Sequence, residues 1–294
     1  MKKKKSRKLI YNVLLLIVGA VFVFSAYQVG KTLYQYYLQD KEAEQMQEIA
    51  KVPKDPEEKE FKIDWNELKK TNEDIIGWIL IPDTNISHAI VQGTDNSYYL
   101  NHTVEKRILY SGAIFMDYAA NPDFQDRHTI IYGHNVKYGT MFAQLDRYRE
   151  KDFYETHPYV YIFTPEKSYR CPLVSFEHTN DTSPSYQTQF ASDEEYAQYL
   201  DKVKAASIYD TGVEIGVEDQ LITLSTCSYE RGGQPSELRY LVHLKLEEYD
   251  GKYILTSLDF LRQLLDYTTE VSAMELKLKP NVNTSSVQSK IENI

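Results

Sequence analysis

Very little of this sequence is cysteine. Two thiols, Cys171 and Cys227, stand in 294 residues. That is too few for a disulfide framework, and a chain this long builds a core without one. There is no CxxC, no HExxH and no close His/Cys pair, so no metal site is expected. GxSxG, the P-loop and GxGxxG are missing too, which removes the serine α/β-hydrolases, the P-loop NTPases and the dinucleotide enzymes and leaves no cofactor to expect. Basic charge is scarce beyond the N-terminus. Six of the 33 Lys/Arg fall in the first 30 residues, where there is no acid, and the remaining 27 face 43 acidic residues, a net of −16. A body that acidic is unsuited to nucleic acid, whose binding rests on phosphate neutralisation.

Charge of either sign is absent from residues 9–27, "LIYNVLLLIVGAVFVFSAY". As a helix this run spans about 30 Å of hydrocarbon. It follows Lys2–Lys5, Arg7 and Lys8, so the expected topology is a single-pass anchor in the cell membrane, N-terminus cytoplasmic and the rest extracellular. A cleaved signal peptide fits less well, because the apolar run is long and "SAYQVG" is a poor small-x-small site. The expected organisation is a basic segment (1–8), an anchor (9–30), a helical stalk with the proline-containing linker "KVPKDPEEKE" (31–60), a folded domain (61–249) and a C-terminal extension (250–294). In the extension "SLDFLRQLLDY" has amphipathic helical spacing and the remainder reads as a loose tail. A stalk and linker of this kind would hold a domain off a surface.

Long helical patterns are few in the folded part, and short strand-like runs dominate. They fall at 75–81, 87–92, 111–116, 128–134, 159–164, 169–176, 220–227 and 238–246, with prolines and Asn/Asp/Gly clusters between several of them. Eight such runs predict a mainly β fold, a closed or nearly closed barrel. Asp64 is placed to cap a short helix, "WNELKKTN", and another is expected near "YGTMFAQLDRY". The 43-residue gap at 177–219 carries a third. Ser192 and Glu195 form a capping box, and Tyr196, Leu200 and Val203 recur at helical spacing. An insert this long is often functional.

The run "QLITLSTC" ends on a thiol. By alternation Ile222, Leu224 and Thr226 share one face, and Leu221, Thr223, Ser225 and Cys227 share the other, more polar one. Cys227 is then a strand's last residue before the loop "SYERGGQPSE", a rigid support that offers a reactive group to a cleft. Two unpaired thiols outside a membrane point to one kept for chemistry. If the next strand pairs as an antiparallel hairpin, Arg239 comes beside Cys227. An arginine there cannot act as base, but it can hold negative charge developing on a carbonyl oxygen; a surface ion pair is the plainer alternative. A thiol nucleophile usually has a histidine partner. Of seven, His134 is the best placed, closing "TIIYGH" at a strand end. Cys171, mid-strand before Pro172, reads as a small buried hydrophobe.

Together "YGH" at 132–134, "TLSTC" at 223–227 and "LRYLV" at 238–242, in that order, resemble the sortases, membrane-anchored cysteine transpeptidases, over residues 61–248. The helix before the first strand, Ser225 in "TLSTC", the helix-bearing insert, "VQGTDNSYYL" and "IFMDY" resemble class B; the Asp-Pro-aromatic lid of class C is missing, since Asp55-Pro56 is followed by Glu57. The resemblance implies an eight-stranded barrel. It implies that Cys227 attacks the carbonyl after a threonine in a surface protein's C-terminal sorting signal, that His134 moves the protons and that Arg239 steadies the oxyanion or the substrate backbone. The acyl group would pass to an amine of a peptidoglycan precursor or of a pilin. Asn96, Leu100, Thr182, Tyr186 and Ser225 match positions lining the class B groove, with ordinary loop structure as the alternative. The sequence departs from class B at Ser228, where an acid is common, in the length and expected mobility of the connection holding Gly232, Gly233 and Pro235, and in the 250–294 extension. Two rival readings stand beside it. One is a papain-like thiol endopeptidase, with Asn135 as the tempting third residue; the other is a non-enzymatic surface adhesin or scaffold.

Overall fold

The structure, a computed structural model, describes residues 2–56, 61–136, 139–228 and 237–249. The expected long connection around Gly232, Gly233 and Pro235 and the 250–294 extension lie outside the described residues. The eight strand-like runs form eight strands: β1 (Ile75–Leu80), β2 (Ser87–Val91), β3 (Ile114–Met116), β4 (His128–Tyr132), β5 (Tyr159–Phe163), β6 (Ser168–Asn180), β7 (Leu221–Cys227) and β8 (Leu238–Lys245). They close a barrel in the order β1-β2-β3-β4-β7-β8-β6-β5. Two pairings are parallel, β2 with β3 and β4 with β7. The third run starts only at Ile114, because Gly112 turns the chain with φ +57° and a Cβ there would lie 2.3 Å from the Tyr99 carbonyl oxygen. The sixth run extends to Asn180, since β8 stays paired with it to the end and a bulge near Leu173 absorbs the register shift.

The strands are apolar without strict alternation because both of their faces are covered. In β1, Ile79 joins an interior cluster that draws side chains from all eight strands, among them Ile90, Ile114, Ile131, Ile162, Leu173, Leu224 and Val242. Its neighbours Trp78 and Leu80 point outward and pack beneath two helices, α1 (Lys2–Ala50) and α2 (Trp65–Thr71), through Met46, Ala50 and Leu68. Asp64 caps α2 by accepting from the Glu67 amide. Between β6 and β7, α4 (Asp193–Ala205) lays Tyr196, Tyr199, Leu200 and Val203 over Leu221 and Val174. Ser192 caps it as its capping box predicts, but Glu195 reaches back to the Ala191 amide rather than to Ser192. The helix expected after His134 is a 3-10 helix at Ala143–Arg149, followed by the short α3 (Lys151–Thr156).

Over Tyr11–Ala50, α1 contains a window long and apolar enough to cross a membrane, and that window is bare of protein contacts. The reading of residues 31–60 as a stalk that holds the domain away needs correcting. The helix runs on without a break to Ala50, and from Gln39 its inner face is buried on the barrel, with Gln39, Glu42, Met46 and Ala50 all nearly inaccessible. Gln47 donates to the Ser87 carbonyl at 3.1 Å.

A buried polar chain underlies the β6–β7 insert. His128 is 1% exposed, with Nδ1 2.7 Å from the Gln187 carbonyl and Nε2 2.6 Å from Thr223 Oγ1. Burial pushes its pKa down to about 3. The unfolded chain binds that proton near pH ~6.5 and the folded one does not, so stability is fully present above that pH and falls as the pH drops from there toward 3. Between pH 7 and 4.5 the loss through this one side chain is about 2.5 kcal/mol. Denaturant melts of wild type and His128→Gln at the two pH values measure it: the variant should lose less than wild type, and equal losses would refute the assignment.

Candidate active site

β7 carries the site on its outer face. Ile222 and Leu224 enter the barrel interior, while Thr223, Ser225 and Cys227 alternate outward below the insert. Cys227 ends the strand and is half-exposed, whereas Cys171 is fully buried among interior side chains, which drives its thiol pKa well up. β8 returns antiparallel with Cys227 directly opposite Arg239. The side chain of Arg239 donates through Nη1 to the Leu238 carbonyl at 2.9 Å and through Nη2 to Asp181 at 3.2 Å. The guanidinium is thereby braced at the mouth of the β7–β8 hairpin, with Asp181 as its carboxylate partner.

The parallel neighbour β4 brings the histidine. Tyr132 is level with Ser225, and the Gly133 amide continues the ladder to the Ser225 carbonyl at 3.1 Å. His134 and Cys227 each lie two residues beyond that pair. Gly133 is required by close approach, since a Cβ there would sit 2.4 Å from Ile114 Cδ1 and 2.6 Å from Phe142 Cδ2. The imidazole of His134 is held from two sides. Its Nε2 lies 2.7 Å from the Leu100 carbonyl, and its ring stacks on Tyr110 at 5.6 Å and 15°. A carbonyl can only accept, so Nε2 bears the proton and Nδ1 is left basic. Burial lowers the imidazole pKa, against a smaller opposing effect of the Leu100 carbonyl. Asn135 donates to the Cys227 carbonyl at 2.9 Å and so ties the end of β7 to the loop after β4; it does not orient His134.

The groove residues divide. Tyr186, in a 3-10 turn at Pro184–Tyr186, exchanges a 2.7 Å hydrogen bond with Ser225, and its phenol feels both Arg239 and Cys227. Burial raises its pKa. Leu100 meets His134 through its carbonyl, and its side chain is exposed. Asn96 is spent on the end of β3, donating to Asp117 at 2.8 Å and accepting from the Tyr118 amide at 3.0 Å. Thr182 bonds Asn180 in a tight turn, one residue from Asp181. Thus Tyr186, Ser225 and Leu100 gather with the cysteine, histidine and arginine, whereas the side chains of Asn96 and Thr182 engage their own loops. Asp181 and Tyr110 carry no local signal in the sequence, because each meets its partner across a fold-dependent distance.

Among the described residues, no three His, Cys, Asp or Glu side chains cluster as metal ligands. The model of the sortase domain matches residues 79–247. A sortase B of Listeria monocytogenes is 36% identical over 223 residues, 74% of this chain and 89% of that protein. Among solved structures, sortase B of B. anthracis in complex with AAEK1 superposes with a TM-score of 0.65 at 34% identity, covering 74% of this chain and 100% of that one. A Staphylococcus aureus sortase B–substrate complex gives 0.59 at 32% identity, over 63% and 85% of the respective chains.

Proposed function

The chain belongs to the sortase family of transpeptidases, in class B, and from that premise we propose that Cys227 is its nucleophile, His134 its acid–base group and Arg239 its oxyanion donor. The observation that carries the reading is the strand register. One antiparallel pairing sets Cys227 opposite Arg239, and the parallel pairing of β4 with β7 runs to Tyr132 and Ser225, two residues short of His134 and Cys227.

The chemistry follows from the groups. As the sulfur of Cys227 bonds to the carbonyl carbon of the substrate's threonine, its proton passes to Nδ1 of His134. The carbonyl oxygen takes negative charge, which the permanently charged Arg239 fork stabilises. Collapse breaks the C–N bond, and the proton on His134 goes to the leaving amine. The resulting thioester is attacked by an acceptor amine that gives its proton to His134. The C–S bond then breaks, a new amide leaves, and the thiol is restored. Tyr186 and Ser225 line the acyl side of this groove, and Leu100 stands beside the imidazole. Asn96 and Thr182 act by holding loops rather than by touching substrate.

The donor is a surface protein with a C-terminal sorting signal, and the acceptor is the amine of a peptidoglycan precursor. The domain works outside the membrane, held there by α1 over residues 9–30, with residues 1–8 on the cytoplasmic side. The barrel domain proper is 61–249. A papain-like hydrolase is disfavoured by Asn135, which bonds the Cys227 backbone and not His134. The test is mass spectrometry of the full chain mixed with sorting-signal peptides. A thioester adduct on Cys227 that is discharged faster by oligoglycine than by water supports the reading. Discharge by water alone would make the protein an endopeptidase, and the absence of any adduct across the panel favours the adhesin.

A further inference from the structure

His134 is held by two loops, and both of them touch α1. The first runs from Leu100 to Gly112 and supplies the Leu100 carbonyl and the Tyr110 ring. The second follows His134 directly and folds back on it, with the Phe142 amide donating to the His134 carbonyl at 3.0 Å and a bridge between Asn135 and Met141. Glu42 of α1, whose side chain is 7% exposed, accepts from the Glu105 amide at 3.0 Å and from Arg107 Nη2 at 2.8 Å. Gln39, one turn earlier, donates to Thr140 in the second loop.

The first loop transmits what Glu42 holds. Thr103 donates to the Arg107 carbonyl and Leu109 to the Asn101 carbonyl, each at 2.9 Å, so the arm bearing Arg107 is laced to the arm beginning at Leu100. Tyr110 follows directly. A carboxylate this buried stays where its two donors are, one a backbone amide and one a guanidinium, because leaving it unpaired is costly. Its two bonds therefore fix the loop to the helix and not merely to itself.

We propose that residues 39–50 of α1 are a positioning element of the active site, with Glu42 as the positioning residue that holds the Leu100 and Tyr110 cradle of the His134 imidazole. The helix that is long and apolar enough to cross a membrane is then part of the catalytic unit, not a tether to it. This rests on the reading of His134 as the acid–base group. Glu42 does not touch the groove, so it acts on proton transfer and leaves peptide binding alone.

The test uses the full chain in detergent or nanodiscs and measures transfer from a sorting peptide to oligoglycine. Glu42→Ala is expected to lower kcat about tenfold, the worth of one charge-assisted bond, with the KM for peptide within about twofold. Arg107→Ala, at a half-exposed position, should reproduce the loss, and the double variant should be no slower than either single one. An unchanged kcat in Arg107→Ala and Glu42→Ala, or a change confined to KM or to the melting temperature, overturns the proposal. His134→Ala in the same preparation separates the two claims. If it is inactive while Glu42→Ala is fully active, only the positioning role fails; if it keeps wild-type transfer, the acid–base reading falls and the positioning role with it.

Discussion

Cys227→Ala is expected to abolish transfer, with a fall of about 10⁴ or more in kcat, while the barrel stays folded. In the proposed reaction the covalent intermediate forms on this sulfur. The fold survives because the end of β7 is held by backbone, not by the thiol: Ser225 receives the Gly133 amide, the Cys227 carbonyl receives Asn135, and the residue faces Arg239 across a regular ladder. Cys171→Ala is the opposing control. That thiol is sealed in the barrel interior with its pKa driven up, so the variant should keep wild-type kcat and lose about 1–2 kcal/mol of stability through the small cavity left. Steady-state transfer and denaturant melts on both variants check the pair. Transfer above about 1% of wild type in Cys227→Ala would place the nucleophile elsewhere.

His134→Ala should cost about 10²–10⁴ in kcat, the usual worth of a positioned acid–base group. The pH profile of wild type gives a sharper check. Burial disfavours the charged imidazole, so the ring stays neutral, with Nδ1 free to take the thiol proton, at pH values where an ordinary histidine is already protonated. Lowering the pH through the His134 pKa protonates that nitrogen and stops the attack. The acid limb of kcat/KM should therefore lie below the ordinary histidine value of about 6.5 and disappear in His134→Ala. A limb at or above that value, or one that persists in the variant, would count against His134.

The strands were legible because β-branched and aromatic runs broken by Pro, Asn and Gly are sterically suited to a pleated, covered surface. All eight appear within a few residues of their expected ends. The pairing of Cys227 with Arg239 was legible as well, since a hairpin between consecutive strands is local geometry. The approach of the β4 end, which leads into His134, to the β7 end was not readable from spacing. It depends on a parallel pairing of β4 with β7 across the whole intervening chain, and only the resemblance to a family supplied it. The docked C-terminal end of α1 was misread for a related reason. "QVGKTLYQYYLQDKEAEQMQEIA" is helical and polar enough for a free stalk, and the burial of Gln39, Glu42, Met46 and Ala50 is set by a barrel surface formed much later in the sequence. Asn96 and Thr182 match groove positions by type, yet Asn and Thr are also the residues that close turns, and here they do so.

The parallel seam between β4 and β7 also has a consequence for how the chain is made. Because the two strands run the same way, a crossover of many residues separates them, and loop closure over that span is slow. During synthesis the imidazole at residue 134 emerges before the sulfur at 227, and the guanidinium at 239 follows. A nascent or C-terminally clipped chain thus exposes a thiol with no base aligned and no cation across the ladder. With the roles proposed for these three residues, transfer activity is expected only once the barrel has closed.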